Sequence, residues 1–164
     1  MATCCSQARI SRTPSEGGPL SAEPIQLIRH HHGAWRLRRI PGQLKQLKRL
    51  LDDNSFWACG RSQQELSLML TGSQAVVSAW QDSRLVGFGR ATSDGVFRAV
   101  LWDVVVAREH QGQGIGRRIV ETLLQEPALR GVERTYLMTT ESAGFYEQLG
   151  FTGVGNQRLM LRCR

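Results

Sequence analysis

Apolar residues recur along the chain with two different spacings, and the change between them divides the fold. After Pro41, Leu44, Leu47, Leu50 and Leu51 share one stripe while Lys45, Lys48 and Arg49 fall off it, so the spacing predicts a helix opened by the proline. Ser62 and Glu65 make a capping box, and Leu66, Leu68, Met69 and Leu70 carry the helix it starts. Beyond Gly72 the pattern changes to strands. Residues 75–80 and 85–91 read as a hairpin about Asp82-Ser83, and after the turn Ser93-Asp94-Gly95 a long strand covers 96–106. A Gly-rich turn over 111–116 leads into a helix from Arg117 to Gln125 that stops at Pro127. A strand over 135–140, a helix over 142–149 ended by Gly150 and a last strand over 159–162 complete the reading, with a further strand expected at 35–40. Strands, helix, strand, helix, strand after two leading helices indicate an α+β domain with a mixed sheet.

Residues 1–33 lack this periodicity, and Glu16-Gly17-Gly18-Pro19 breaks any regular element. They read as a flexible tail before a single domain over 34–164, a size that suits one hydrophobic core. No apolar run approaches the roughly 20 residues of a membrane span. The acid-free, Arg/Ser-rich first fifteen residues also resemble a plastid or mitochondrial presequence, although Glu16 and Glu23 cut against that composition. A cytoplasmic protein is expected, or a stromal one if the tail is such a presequence.

The net charge of +7 lies entirely in residues 1–50, and residues 51–164 balance to zero. The basic excess therefore marks an arm and one helix, which argues against a nucleic-acid-binding fold. The four cysteines show no metal-ligand or redox spacing, and His30-His31-His32 has no Cys or carboxylate partner at such spacing, so no metal is expected.

The segment 104–117, with Gln111, Gly112, Gln113, Gly114, Ile115, Gly116 and Arg117 at its end, runs from strand through loop to helix start. A helix N-terminus presents unpaired N–H groups and partial positive charge, and glycines let an anion approach the backbone. No Lys follows the glycines as a Walker loop requires, and a dinucleotide fingerprint would need glycine at position 117, which is Arg.

The spacing Gln111, Gly114, Gly116 resembles the acetyl-CoA loop of the GNAT N-acetyltransferase superfamily. The block from Ser142-Ala143-Gly144-Phe145-Tyr146 to Leu149-Gly150-Phe151 is similar to that family's second signature. The stretches 86–98 and 102–106 resemble a cyanobacterial and plastid branch that includes serotonin and protein acetyltransferases. The resemblance covers residues 50–164. It implies a GNAT-like, mixed and mainly antiparallel twisted sheet flanked by helices, and direct transfer from acetyl-CoA, used as co-substrate, to a primary amine. The acceptor would be an arylalkylamine such as serotonin, or a protein lysine or N-terminal amine, and the enzyme a monomer or homodimer. On this resemblance the backbone of Gly112 to Arg117 holds the pyrophosphate, with Gln111 shaping the loop. Val104, Val105 and Val106 pair with the pantetheine arm, and Tyr146 protonates the departing thiolate. Asp103, a carboxylate within an apolar strand, is the candidate base, against a structural role paired with Arg90 or Arg98; Glu109 and Glu141 are its rivals. The other class of function is a non-catalytic CoA-binding or interaction protein that works through its basic arm.

Overall fold

The structure, a computed structural model, describes residues 24–30 and 42–163. A five-stranded sheet has the order β1 (Gln26–His30), β2 (Ala75–Gln81), β3 (Arg84–Ser93), β4 (Arg98–Val106) and β5 (Arg134–Tyr136). Strands β1 to β4 are antiparallel and β5 runs parallel to β4, so the sheet is mixed and mainly antiparallel as expected. Helices α1 (Gln43–Asn54) and α2 (Gln63–Thr71) cover one face. Helices α3 (Ile115–Leu124) and α4 (Pro127–Arg130) cover the other, and α5 (Ala143–Glu147) follows β5.

Local chemistry explains these elements. The capping box is complete: Ser62 accepts from the Glu65 N–H, and Glu65 accepts from the Ser62 N–H at 2.7 Å. The second hairpin turn is held by Asp94, whose Oδ1 accepts from the N–H groups of Val96, Phe97 and Arg98. Each face has its own core. Leu47, Leu51, Leu66 and Leu70 pack with Phe88 and Val105, whereas Ile115, Ile119 and Leu123 pack with Val77, Val86 and Leu101. Helix α3 approaches β3 over Gly87 and Gly89, where a Cβ would fall 2.9 and 2.6 Å from Ile119. Glycine here is a requirement of close packing.

Three expectations need correction. Residues 26–30, assigned to the tail from their composition, are edge strand β1, in register from Gln26↔Trp80 to His30↔Val76. An edge strand draws its stability from one neighbour's backbone and a few anchors. Here His30 Nε2 lies 2.7 Å from Ser78 Oγ, and Arg118 donates to the Ile25 carbonyl at 3.2 Å. Pro127 does not only stop a helix: it is the first residue of α4, where its missing N–H costs nothing. The strand expected at 159–162 joins no ladder among the described residues, and Leu159, Met160 and Leu161 are exposed. Strand β5 pairs over only three residues, which leaves little edge for another strand to join. The strand expected at 35–40, along with His31, His32 and Pro41, lies outside the described residues.

Candidate active site

The site begins where β4 loses its partner. Pairing with β5 stops at Val100↔Tyr136, so the outer edge of β4 from Leu101 to Val106 faces no strand among the described residues. A β-bulge then changes which side chains face the gap. Phe88 pairs with Val105 and Arg90 with Trp102, so Asp103 and Val104 together oppose the single residue Gly89. Ala99 and Leu101 point to the α3 side before the bulge. After it, that side receives Val104 and Val106, while Val105 turns to the core beneath α1 and α2. Asp103 adopts the left-handed conformation, φ 50°, that the extra residue demands.

Between β4, the start of α3 and α5 lies a cleft of about 500 Å³. Its walls are Val104, Val106, His110, Gln111, Gly112, Gly114, Ile115, Gly116, Arg117, Ser142, Phe145, Tyr146 and Gln148. Gly112 and Gly114 both sit at φ 76°, and a Cβ on either would meet nothing within 4 Å. Glycine serves the backbone conformation here, and the space above the loop stays open. The Gln111 side chain donates to the Val106 carbonyl at 3.1 Å, tying the loop to the strand. The first intrahelical bond of α3 is Arg118 N–H to the Gly114 carbonyl, at 3.1 Å. The N–H groups of Ile115, Gly116 and Arg117 therefore have no intrahelical acceptor.

The electrostatics of this helix start are one-sided. Acidic residues normally offset the partial positive charge of a helix N-terminus. The first turn of α3 has none and carries Arg117 and Arg118 instead. Arg117 donates to Gln148 at 3.2 Å and lies 3.6 Å from Glu121, which holds its guanidinium at the cleft wall. The combination of open glycines, free N–H groups and uncompensated positive charge is a seat for a bulky anion such as a pyrophosphate.

Tyr146 stands in the last turn of α5, its ring edge-on to Phe145 at 4.8 Å and to Phe151 at 5.9 Å. Burial pushes its phenol above the ordinary value. Nothing among the described residues takes its hydroxyl as a partner, so the phenol remains a free, protonated donor at the cleft wall.

The structure thus brings Val104, Val106, Gln111, Gly112, Gly114, Ile115, Gly116, Arg117 and Tyr146 to one cleft. Gln113 points elsewhere, toward the Glu109 carbonyl at 3.4 Å, and the Val105 side chain is buried on the opposite face. Asp103 is not part of the wall either. Its Oδ2 accepts from Arg90 Nε at 2.7 Å and from Arg61 Nη1 at 3.1 Å, with the carboxylate only 4% exposed. Glu109 is ion-paired with Arg84, and Glu141 is exposed in a loop. The wall residues missed in the sequence are His110, Ser142, Phe145 and Gln148. All four lie inside the two signature segments, 104–117 and 142–151, so their place in the motifs was the available signal.

Residues 44–151 match the profile of the acetyltransferase (GNAT) family. The uncharacterized N-acetyltransferase ycf52 of Pyropia yezoensis is 36% identical over 108 residues, which are 62% of this chain and 60% of that protein. The chloroplastic serotonin N-acetyltransferase 2 of Oryza sativa subsp. japonica is 46% identical over 69 residues, 42% of this chain and 34% of that one. The chain thus covers less than two thirds of the length of either curated relative. Among solved structures, a GNAT-family protein from Xanthomonas campestris pv. campestris superposes with a TM-score of 0.69 at 26% identity, over 88% of this chain and 96% of that one.

Proposed function

The chain belongs to the GNAT acetyltransferase family, and from that premise we propose that it moves the acetyl group of acetyl-CoA directly to the nitrogen of a primary amine. The observation that carries this reading is the start of α3, where three free N–H groups and Arg117 face open space above Gly112 and Gly114. These groups bind the pyrophosphate. The outer edge of β4 at Val104–Val106 offers unpaired backbone to an amide-rich arm, which adds to the sheet as an extended strand does. The thioester then lies beside Tyr146. The amine nitrogen attacks the carbonyl carbon, the carbon–sulfur bond breaks, and the sulfur leaves as a thiolate. Tyr146 gives that thiolate its proton, the surplus proton of the new amide nitrogen passes to water, and the Tyr146 phenolate is reprotonated from water.

An arylalkylamine is the proposed acceptor class. Its support is the similarity, over 69 residues, to the rice protein named as a serotonin N-acetyltransferase. The same relative's chloroplastic name supports a plastid setting for this chain.

The test of the chemistry is Tyr146→Phe. The ring and its two edge-on contacts are kept and only the proton is lost, so stability hardly changes. A fall in kcat of roughly 10²-fold or more, with KM for acetyl-CoA nearly constant, is expected for a general acid. Because burial raises the phenol, Tyr146 stays protonated through neutral and mildly alkaline pH, and its loss of the proton brings no fall in kcat across that range. Wild-type turnover by the folded variant, with chemistry rate-limiting, would assign the proton to water instead.

A further inference from the structure

We propose that Asp103 is a positioning residue, which locks the bulge of β4 and so aims Val104 and Val106 into the cleft. This rests on the acetyltransferase reading for its kinetic consequences, though the lock itself is a matter of geometry.

Side chains alternate along a strand, and a shift of one residue exchanges its two faces. Continued without a bulge from Leu101, the α3-side series would be residues 103 and 105. The cleft wall would then receive a carboxylate and Val105, and Val104 would be lost to the other face. The bulge at Asp103-Val104 prevents this. It places a non-glycine residue at φ 50°, a conformation that Asp and Asn accept more readily than other side chains.

The side chain of Asp103 then holds the bulge in place. Its Oδ2 receives Arg90 from the neighbouring strand β3 and Arg61 from the loop between α1 and α2. Arg90 is itself fixed from two sides, by Ser73 Oγ at 3.5 Å and by the ring of Trp102, whose centroid is 5.6 Å away. Trp102 is anchored in turn by Thr92, at 2.8 Å. The loop carrying Arg61 is fastened a second time near its other end, where Asn54 accepts from the Arg108 N–H at 3.0 Å. One carboxylate thus ties β3, β4 and the α1–α2 loop together at the residue where β4 changes phase. With two guanidinium groups on the same oxygen and no place on the cleft wall, it holds the strand and does not reach an amine in the cleft.

The test uses the full chain and three variants. Asp103→Asn removes the base but keeps the left-handed preference and an oxygen for Arg90. Asp103→Ala removes both the preference and the acceptor. Asp103→Gly keeps only the backbone freedom, and replaces the alanine variant should that fail to fold. For Asp103→Asn, kcat stays within about tenfold of wild type and its pH profile keeps its shape, whereas loss of a general base costs roughly 10²–10⁴-fold and removes the acid limb. Asp103→Ala and Asp103→Gly lower kcat/KM by roughly 10²-fold, the scale of an ångström misplacement, again with the pH profile intact. Without any substrate, hydrogen exchange at Val104–Val106 quickens in Asp103→Ala and Asp103→Gly but not in Asp103→Asn. That arm reads the lock even if no amine is turned over, which would count against the acetyl-transfer reading alone. An Asp103→Asn variant that loses 10²-fold or more together with the acid limb overturns the proposal, in favour of a base. So does unchanged exchange at Val104–Val106 in Asp103→Ala or Asp103→Gly.

Discussion

Gly89→Ala puts a single methyl at the closest approach between the sheet and α3. That methyl would lie 2.6 Å from Ile119 Cγ2, 3.2 Å from Leu123 Cδ1 and 3.5 Å from Val104 Cγ2. Carbon atoms rest at roughly 3.5–4.0 Å, so the first contact overlaps by about 1 Å. Ile119 and Leu123 are both fully buried in the core beneath α3. Overpacking of this kind costs about 1–3 kcal/mol, against about 0.4–1 kcal/mol returned by the stiffer unfolded chain. With the upper part of that range, about 2–3 kcal/mol, for a 1 Å overlap, the net loss of roughly 1–2.6 kcal/mol lowers Tm by about 2–10 °C for a chain of this size. The assay is urea denaturation of Gly89→Ala, Ile119→Ala and the double variant. Ile119→Ala alone costs about 2–5 kcal/mol, but it also removes the atom that the new methyl strikes. The double variant is therefore more stable than the two single losses added together, by about 1 kcal/mol or more. Strict additivity, or a Gly89→Ala chain as stable as wild type, would refute this account of how α3 is seated.

Ser62→Ala removes one half of the capping box of α2 and lowers stability by about 1 kcal/mol in denaturant titration. Hydrogen bonds from the backbone N–H groups of Arg98, Val96 and Phe97 hold the Asp94 carboxyl below the ordinary aspartate range, which a carboxyl-detected NMR titration will read directly. The unfolded chain then binds the proton first as pH falls, so this contribution to stability is complete above the ordinary aspartate range and is lost as pH drops through the depressed value. Asp94→Asn flattens that acid-side loss, and an unaltered profile would show that the turn contributes nothing to it.

Much of the fold was legible because its elements carry their own local signals. The Ser62–Glu65 box, the apolar runs of β2 and β3 and the Asp94 turn each depend on residues close in sequence. Strand β1 was not legible, since Gln26–His30 is short, sets only Leu27 and Ile28 among polar residues, and is fixed by Ser78 and Arg118 far along the chain. The loop glycines and Tyr146 stood in motifs, and the structure brings them to one cleft. The bulge was hidden: nothing in the apolar run around Asp103 marks the change of phase. Of its two partners, Arg90 was foreseeable as a neighbour in the hairpin, whereas Arg61 lies 42 positions away and meets it only through the tertiary fold. For the same reason a carboxylate in an apolar strand looked like a candidate base, when its neighbours make it an ion pair.

The central claim is that the N-terminus of α3 holds the pyrophosphate of acetyl-CoA, and calorimetric titration of the full chain and Gly114→Asp tests it most directly. Aspartate accepts a left-handed backbone at less strain than most side chains, and its Cβ meets nothing within 4 Å, so the variant is expected to fold. What changes is a negative charge placed where the anion must sit. The account predicts saturable acetyl-CoA binding to wild type, competed by free CoA, and weakening of at least about tenfold in the variant, the equivalent of about 1.4 kcal/mol. Equal affinity in a folded Gly114→Asp chain would contradict it.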